Sequence, residues 1–176
     1  AINYNGNYMI IGAPDKNNGD GAVYIYTWDS TLSIWQELKY YNGWNSHRLG
    51  YSVSISGNGT VFAYGTQNGC NGAGCVNVYE LIQPFYTNTF VMLGNTISGY
   101  SNGDDFGNSI SLSNDGIRIA IGAPNNDITG SDKGLVVIKE FNGTSWVQKG
   151  LDIHGEAMYD MSGRSVSISL DGYTVA

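Results

Sequence analysis

The sequence predicts an all-β fold built from tandem, four-stranded antiparallel units. One heptapeptide, which begins with glycine and alternates serine with other residues, occurs three times, at residues 50–56, 107–113 and 163–169. The leading glycines stand at positions 50, 107 and 163, so successive copies begin 57 and 56 residues apart. A repeat of this length, with the same strand pattern in each copy, indicates stacked supersecondary units that share a core between neighbours.

The third unit shows how each strand follows from its residues. Ile110 and Leu112 alternate with serines, which predicts a first strand with one apolar face. The Asn-Asp-Gly sequence at residues 114–116 allows a tight hairpin. Pro124 ends the second strand, because proline has no N–H to donate to a ladder. The strands predicted for this unit are residues 109–113, 117–121, 134–141 and 145–149.

The other units fill the same positions. Second strands are predicted at 8–11 and 61–64, third strands at 22–26 and 76–81, and fourth strands at 34–38 and 90–93. Residues 1–3 match 54–56, and residues 174–176 match 61–63, so both ends fall inside a unit. The predicted boundaries are 1–49 for a first blade, incomplete at its N-terminus, with its linker; 50–106 and 107–162 for the second and third; and 163–176 for a truncated fourth.

The serine face of the first strand specifies the architecture further. Small side chains let adjacent sheets approach closely, as the inner strands of a β-propeller require, so we interpret the serines as packing spacers rather than nucleophiles. The predicted fold is of the β-propeller type, with about three tandem repeats of about 57 residues in a partial propeller or array. Propellers close with about four to eight blades. We therefore expect either a longer polypeptide or self-association with neighbouring blades through unpaired strand edges.

Composition excludes two classes of partner. Lys and Arg number 8 against 15 Asp and Glu, for a net charge of −7 and a pI of about 4.5, so no basic stripe exists to bind nucleic acid. No run of apolar residues is long enough for a membrane span. Charged residues make up only 13% of the chain, and amide and hydroxyl side chains replace them. That balance is typical of extracellular or cell-surface β-proteins.

The cysteines, Cys70 and Cys75, enclose a short loop with two glycines. A loop this flexible can bring two sulfurs together, and a disulfide closing it would contribute about 2 kcal/mol. A metal site is the alternative, but it needs further soft ligands, and His47 and His154 are distant in sequence. We predict a disulfide, which is consistent with an oxidising compartment.

Two motifs carry a family resemblance. Phe106-Gly107, followed by Gly122-Ala123-Pro124, resembles the FG-GAP repeats of integrin α-subunit heads. The phrase that runs through residues 146–157 and 160–163 resembles a long-repeat subgroup found in surface proteins of bacteria, algae and other microbes. The resemblance covers essentially the whole chain and implies four-stranded propeller blades, but it does not imply one activity. The motif is incomplete in places, since Leu49 and Ser162 stand where Phe106 stands in its own unit.

The resemblance also raises the question of calcium. Integrin-type repeats carry an Asp-rich calcium loop in the hairpin before the GAP strand, but the hairpins here keep one carboxylate at most, whereas calcium takes six to eight oxygens. We therefore do not carry that metal site over to these hairpins, and we predict no cofactor for the chain apart from the weak calcium site described next. The loops after GAP offer oxygen ligands for a weak calcium site, although we prefer to interpret them as turn-capping residues. These candidates are Asp15, Asn17, Asp20, Asp127 and Asp132.

The linkers and turns carry the remaining candidate sites. Asp104 and Asp160 occupy one recurring linker position, where we expect them to accept backbone N–H bonds. The first linker is aromatic, and Tyr40, Tyr41 and Trp44 could stack on a sugar ring, although packing between blades is the alternative interpretation. N-glycosylation acceptors occur at Asn58 and Asn142, both in predicted hairpin turns.

Three function hypotheses remain. The leading one is a non-enzymatic extracellular repeat scaffold that serves adhesion or assembles into a larger surface structure such as a fibre. The second is a ligand-binding propeller module that recognises a glycan or a protein. The third, less favoured, is a polysaccharide-acting enzyme. The fold alone does not choose among them.

Overall fold

A computed structural model describes residues 1–82 and 88–176, and in these ranges the protein is all-β apart from one helical turn. The strands of the first sheet are β1 (Tyr8–Gly12), β2 (Ala22–Asp29) and β3 (Ile34–Asn42), with the turn α1 (Lys16–Gly19) between β1 and β2. Those of the second are β4 (Leu49–Ile55), β5 (Val61–Thr66), β6 (Cys75–Ile82), β7 (Thr89–Met92) and β8 (Ile97–Ser98). Those of the third are β9 (Ser109–Leu112), β10 (Arg118–Ala123), β11 (Leu135–Phe141), β12 (Trp146–Gln148) and β13 (Ile153–His154).

Each sheet is an antiparallel meander in chain order. The orders are β1-β2-β3, β4-β5-β6-β7 and β9-β10-β11-β12. Ile2 forms an isolated antiparallel bridge with Met9, and Ile168 forms one with Val175. Ile2 therefore takes the first-strand position beside β1, as the match of residues 1–3 to 54–56 predicts. The all-β class with antiparallel sheets is confirmed, although the described sheets have three, five and five strands rather than four each.

Two short strands, β8 and β13, were not predicted from the sequence. In the second and third sheets, β8 and β13 pair back onto β6 and β11, at the registers Val76↔Ile97 and Val136↔Ile153. In the first sheet the long strand β3 covers the same position by itself, because Tyr41 pairs with Val23. The linker after each fourth strand therefore runs along the third strand before it crosses to the next sheet.

The serines of the repeated heptapeptide join successive sheets by hydrogen bonds. Ser52 Oγ donates to the carbonyl of Gly107 at 2.6 Å, and Ser109 Oγ donates to that of Gly163 at 2.8 Å. Two residues further along, Ser54 Oγ accepts from the N–H of Leu112 at 3.0 Å. The interpretation of these serines as spacers is therefore incomplete, since their hydroxyls also satisfy backbone groups of the neighbouring sheet.

We expect Ser54→Ala to lower the free energy of unfolding by about 1–3 kcal/mol, because it leaves the N–H of Leu112 without an acceptor inside a buried interface. Urea unfolding measures the change. Ser30→Ala is the matched control, because Ser30 is exposed between β2 and β3, and its loss should stay within about 0.5 kcal/mol. Equal urea-unfolding midpoints for Ser54→Ala and Ser30→Ala would contradict a stabilising role for the Ser54 hydroxyl.

The glycines of the two motifs touch each other across the sheet interfaces. A Cβ added to Gly12 would lie 1.9 Å from the carbonyl oxygen of Gly50, and one added to Gly122 would lie 1.8 Å from that of Gly163. The partner glycines adopt positive φ angles, +80° at Gly50 and +87° at Gly163, which glycine adopts without steric cost. The glycine of GAP and the leading glycine of the next heptapeptide therefore set the sheet spacing together.

The hydrophobic core lies between the sheets. One cluster joins the second and third sheets and includes Phe106, Val76 and Ile121, each at most 1% exposed. The other joins the first and second sheets and includes Ile10 and Phe62, both fully buried. Each sheet therefore buries its faces against its neighbours, as stacked repeats require.

Across residues 1–82 and 88–176, no helix has the length and hydrophobicity that crossing a bilayer would require.

Candidate functional site

A cleft of about 380 Å³ lies between the first and second sheets. One wall comes from the end of β3 and the linker that follows it, and the other comes from β5, β6 and the strands beside them. Aromatic and hydrogen-bonding side chains suited to ligand binding line both walls. They are Tyr41, Trp44 and His47 on the first wall, and Tyr64, Thr66 and Tyr79 on the second. The cleft is therefore a product of two successive units.

Three tyrosines form its aromatic surface. Tyr64 and Tyr79 stack with their ring planes 18° apart and their centroids 5.8 Å apart. Tyr41 approaches both from the linker side, with centroids 5.6 Å and 5.0 Å away. Trp44 stands at the mouth, 61% exposed, against the ring of His47 at 5.8 Å. Flat apolar rings with polar edges therefore line one continuous surface.

Two buried hydroxyl groups of this cleft have no protein partner among the described residues. Among the described residues, the buried Tyr41 Oη and Thr66 Oγ1 make no hydrogen bond. Burial raises the pKa of Tyr41, and the neighbouring Tyr79 adds to the increase, so the phenol stays protonated in ordinary buffers. Burial likewise raises the pKa of Tyr64. A buried hydroxyl without a partner costs about 1–3 kcal/mol, so a polar ligand that reached these hydroxyls would recover energy.

The two cysteines also line the cleft. Cys75 begins β6 and is buried, whereas Cys70 is partly exposed, and both thiols are free. The side chains are in hydrogen-bond contact, and burial followed by this contact raises the pKa of Cys75. The structure therefore brings the two sulfurs together, as the loop sequence predicts, while the disulfide itself stays a prediction.

Of the three aromatic residues predicted to stack on a ligand, the structure brings two to the cleft. Tyr41 and Trp44 line it, but Tyr40 points to the opposite face of β3, because neighbouring residues alternate along a strand. The Tyr40 hydroxyl accepts from Lys16 Nζ at 2.9 Å and donates to Asn42 Oδ1 at 2.6 Å. Tyr64, Tyr79 and Thr66 were missed, because only the fold brings them opposite the linker.

Three of the five calcium candidates have side chains that contact other protein groups. Asp15 pairs with Arg48 at 2.9 Å, Asp20 Oδ1 accepts from the N–H of Ser46, and Asp127 Oδ1 accepts from the N–H of Asp132. Asn17, in α1, has a left-handed backbone. Within the described ranges, no three His, Cys, Asp or Glu side chains come together in a geometry that could hold a metal ion. The weak calcium site stays untested.

The recurring linker aspartates behave as expected. Asp104 Oδ2 accepts from the N–H of Ser101 at 3.0 Å, and Asp160 Oδ2 accepts from the N–H of Ala157 at 2.6 Å. Each therefore caps the linker turn that precedes its heptapeptide, and the structural interpretation of this position is confirmed.

Both glycosylation acceptors lie at exposed turns. Asn58 is exposed between β4 and β5, and Asn142 is exposed between β11 and β12. Their Oδ1 atoms accept turn N–H bonds from Thr60 and Thr144 at 3.0 Å. Their positions fit the sequence-based expectation, and modification of either stays a prediction.

Residues 96–138, which run from just before β8 through β9 and β10 into β11, match the FG-GAP repeat family. They include Phe106-Gly107 and the Gly-Ala-Pro that ends β10, whose glycines meet the neighbouring sheets. The chain carries an FG-GAP repeat. No curated protein sequence matches the chain.

Solved structures resemble the whole fold that surrounds this FG-GAP repeat. A 6-phosphogluconolactonase candidate from Bacteroides fragilis has a TM-score of 0.59 at 11% identity, and the match covers 90% of this chain and 39% of that one. Hydrazine synthase from Kuenenia stuttgartiensis has 0.58 at 13%, covering 99% and 53%. TolB from Acinetobacter baumannii has 0.52 at 18%, covering 99% and 35%.

These likenesses define the fold that holds the FG-GAP repeat. At sequence identities this low, the matches show a β-propeller-like fold, and they do not indicate that this chain shares the activity of any of these proteins. The chain spans 39% of the Bacteroides fragilis protein, 53% of hydrazine synthase and 35% of TolB. FG-GAP repeats are generally protein-interaction modules, typically extracellular or on cell surfaces.

Proposed function

We propose that the chain is a non-enzymatic extracellular recognition module that serves adhesion by binding a glycan in the cleft between its first and second sheets. The observation that carries this proposal is the combination of stacked tyrosines with two unpartnered hydroxyls, Tyr41 Oη on one wall of the cleft and Thr66 Oγ1 on the other, within the described residues. Aromatic rings pack against the C–H faces of sugars, and hydroxyl and amide groups fix the orientation of the ring. The fold and its repeat support a binding module, and the adhesive role is the proposal.

The size and chemistry of the cleft support a saccharide over other ligands. A volume of about 380 Å³ is within the usual range for a small-molecule site. Asn42 and Asn77 add amide groups to its wall, and Asn77 Oδ1 accepts from Thr96 Oγ1 at 2.7 Å. Within residues 1–82 and 88–176, no Lys or Arg that could pair with an anion lines the cleft. A neutral sugar therefore fits this cleft best.

Hydrolysis of that sugar is disfavoured by the same wall. Glycoside hydrolysis ordinarily uses a pair of carboxylates that flank the scissile bond, and no Asp or Glu lines the cleft among the described residues. Binding without turnover is the better-supported activity. The assembly into a fibre that the sequence also predicts stays a prediction.

Trp44→Ala should weaken glycan binding at least about tenfold, because an exposed tryptophan at the mouth supplies the largest stacking surface. The measurement is a glycan array of neutral oligosaccharides, followed by calorimetric titration of the strongest binder. Tyr41→Phe tests the unpartnered hydroxyl separately, and we expect about a three- to tenfold loss.

Tyr4→Ala is the matched control, since Tyr4 is 82% exposed and lies outside the cleft. Its affinity should equal that of the wild type. A blank array, or a Trp44→Ala affinity equal to that of Tyr4→Ala, would remove the glycan proposal.

A further inference from the structure

A second cleft lies one unit further along the chain, with a volume of about 500 Å³. It occupies the position equivalent to the first cleft. Lys139 is the fifth residue of β11, as Tyr79 is of β6, and Tyr100 follows Gly99 as Trp44 follows Gly43. The repeat therefore builds the same cleft twice and lines it with different chemistry.

Two nitrogen groups of this cleft have no protein partner. Lys139 is half-buried and makes no hydrogen bond or ion pair within the described residues. Burial lowers its pKa, against a smaller opposite effect of Asp152. His154 Nδ1 is buried and also makes no hydrogen bond among the described residues. An anion that joined these two groups would satisfy both.

The other groups of the cleft suit a sugar. Tyr100 presents a ring and Leu151 an apolar side chain that is 89% exposed. Asp152 is held in place, because its Oδ1 accepts from Gln148 Nε2 at 2.9 Å. Burial raises the pKa of Tyr100, and the neighbouring Asp152 adds to the increase. A fixed carboxylate and amide are groups that commonly bind ring hydroxyls, whereas Asp152 repels a bare anion.

We propose that this second cleft is a binding site for a carboxylate-bearing sugar. The sugar carboxylate bonds to Lys139 Nζ and to the imidazole of His154, the ring lies against Tyr100, and the hydroxyls bond to Asp152 and Gln148. A charge-assisted hydrogen bond from a partly buried ammonium to a carboxylate is stronger than one between neutral groups. In the part of the chain that the structure describes, no Lys or Arg lines the first cleft, so we expect the two clefts to select different sugars.

The test compares glucuronate with glucose, which differ at one carbon, by nuclear magnetic resonance titration of the labelled protein. Glucuronate should bind about tenfold more tightly and should shift the amide signals of Leu151 and His154. Lys139→Met, which keeps the length of the side chain but removes its charge, should abolish this preference. Lys149→Met is the matched control, because Lys149 pairs with Glu140 at 3.2 Å outside the cleft, and it should keep the preference.

A second variant, His154→Asn, and a second ligand, acetate, complete the test. His154→Asn, which installs the residue found at the equivalent position 42, should reduce the preference for glucuronate even if Lys139→Met fails to fold. Acetate at equal ionic strength should bind more weakly than glucuronate. Equal affinity for glucuronate and glucose, equal affinity for acetate, or an unchanged preference in both variants would overturn the proposal. Trp44→Ala should leave this site intact, so each of the two proposals can fail alone.

Discussion

Gly12→Ala is expected to destabilise the protein by at least about 3 kcal/mol. The added Cβ would lie 1.9 Å from the carbonyl oxygen of Gly50 and 2.9 Å from its carbon, both of which are backbone atoms that cannot rotate away. Overpacking of this kind costs about 1–3 kcal/mol when flexible groups can yield, and here the backbone of the neighbouring sheet must move. The first and second sheets would have to move apart where Gly12 contacts Gly50.

Urea unfolding, followed by tryptophan fluorescence, measures this loss, since Trp28, Trp35 and Trp44 all belong to the first unit. Gly6→Ala is the matched control. Gly6 has a φ of +69° with nothing within 4 Å of the added Cβ, so only backbone strain of about 1 kcal/mol is expected. Equal losses of unfolding free energy in Gly12→Ala and Gly6→Ala would show that the contact between Gly12 and Gly50 does not contribute to stability.

Phe106→Ala should cost about 3–5 kcal/mol. Phe106 is 1% exposed and belongs to the core between the second and third sheets. Its ring lies directly on the linker glycine that precedes Tyr100, because a Cβ on Gly99 would be 2.6 Å from Phe106 Cβ. Truncation removes the buried ring and leaves a cavity that sheets fixed on both sides cannot close.

Phe106→Leu provides the comparison, because Leu49 occupies the same position one unit earlier and is 6% exposed. We expect Phe106→Leu to lose clearly less stability than Phe106→Ala in urea unfolding. A loss below about 1 kcal/mol for the alanine variant would contradict the role of this ring in the core.

The sequence predicted the strands well because their signals are local. The third strand of the third unit was predicted from its apolar run, and the structure has it at Leu135–Phe141. The turn at residues 114–116 is confirmed by the positive φ of Gly116, +74°. The fourth strand of the first unit was predicted to end at residue 38, yet β3 continues to Asn42. That extension depends on pairing with β2, which composition alone does not reveal.

The sites were predicted less completely. Trp44 and Tyr41 were identified because aromatic residues cluster within a few positions of each other. Tyr64 and Tyr79 carry no such signal, since they lie in strands where an aromatic residue is ordinary. The unpartnered hydroxyl of Thr66 could not be predicted from the sequence either, because only the packed structure shows, among the described residues, that this hydroxyl has no partner.

The sequence by itself determined the all-β class, the repeat length and the order of strands in each unit, because alternation and turn residues act over a few positions. Only the tertiary structure decided what the repeated residues do. It placed the glycines of successive motifs in contact, turned the serine hydroxyls toward the next sheet, and built two equivalent clefts with different linings. The physical reason is that these contacts join residues about one repeat apart, so they exist only once the sheets are stacked.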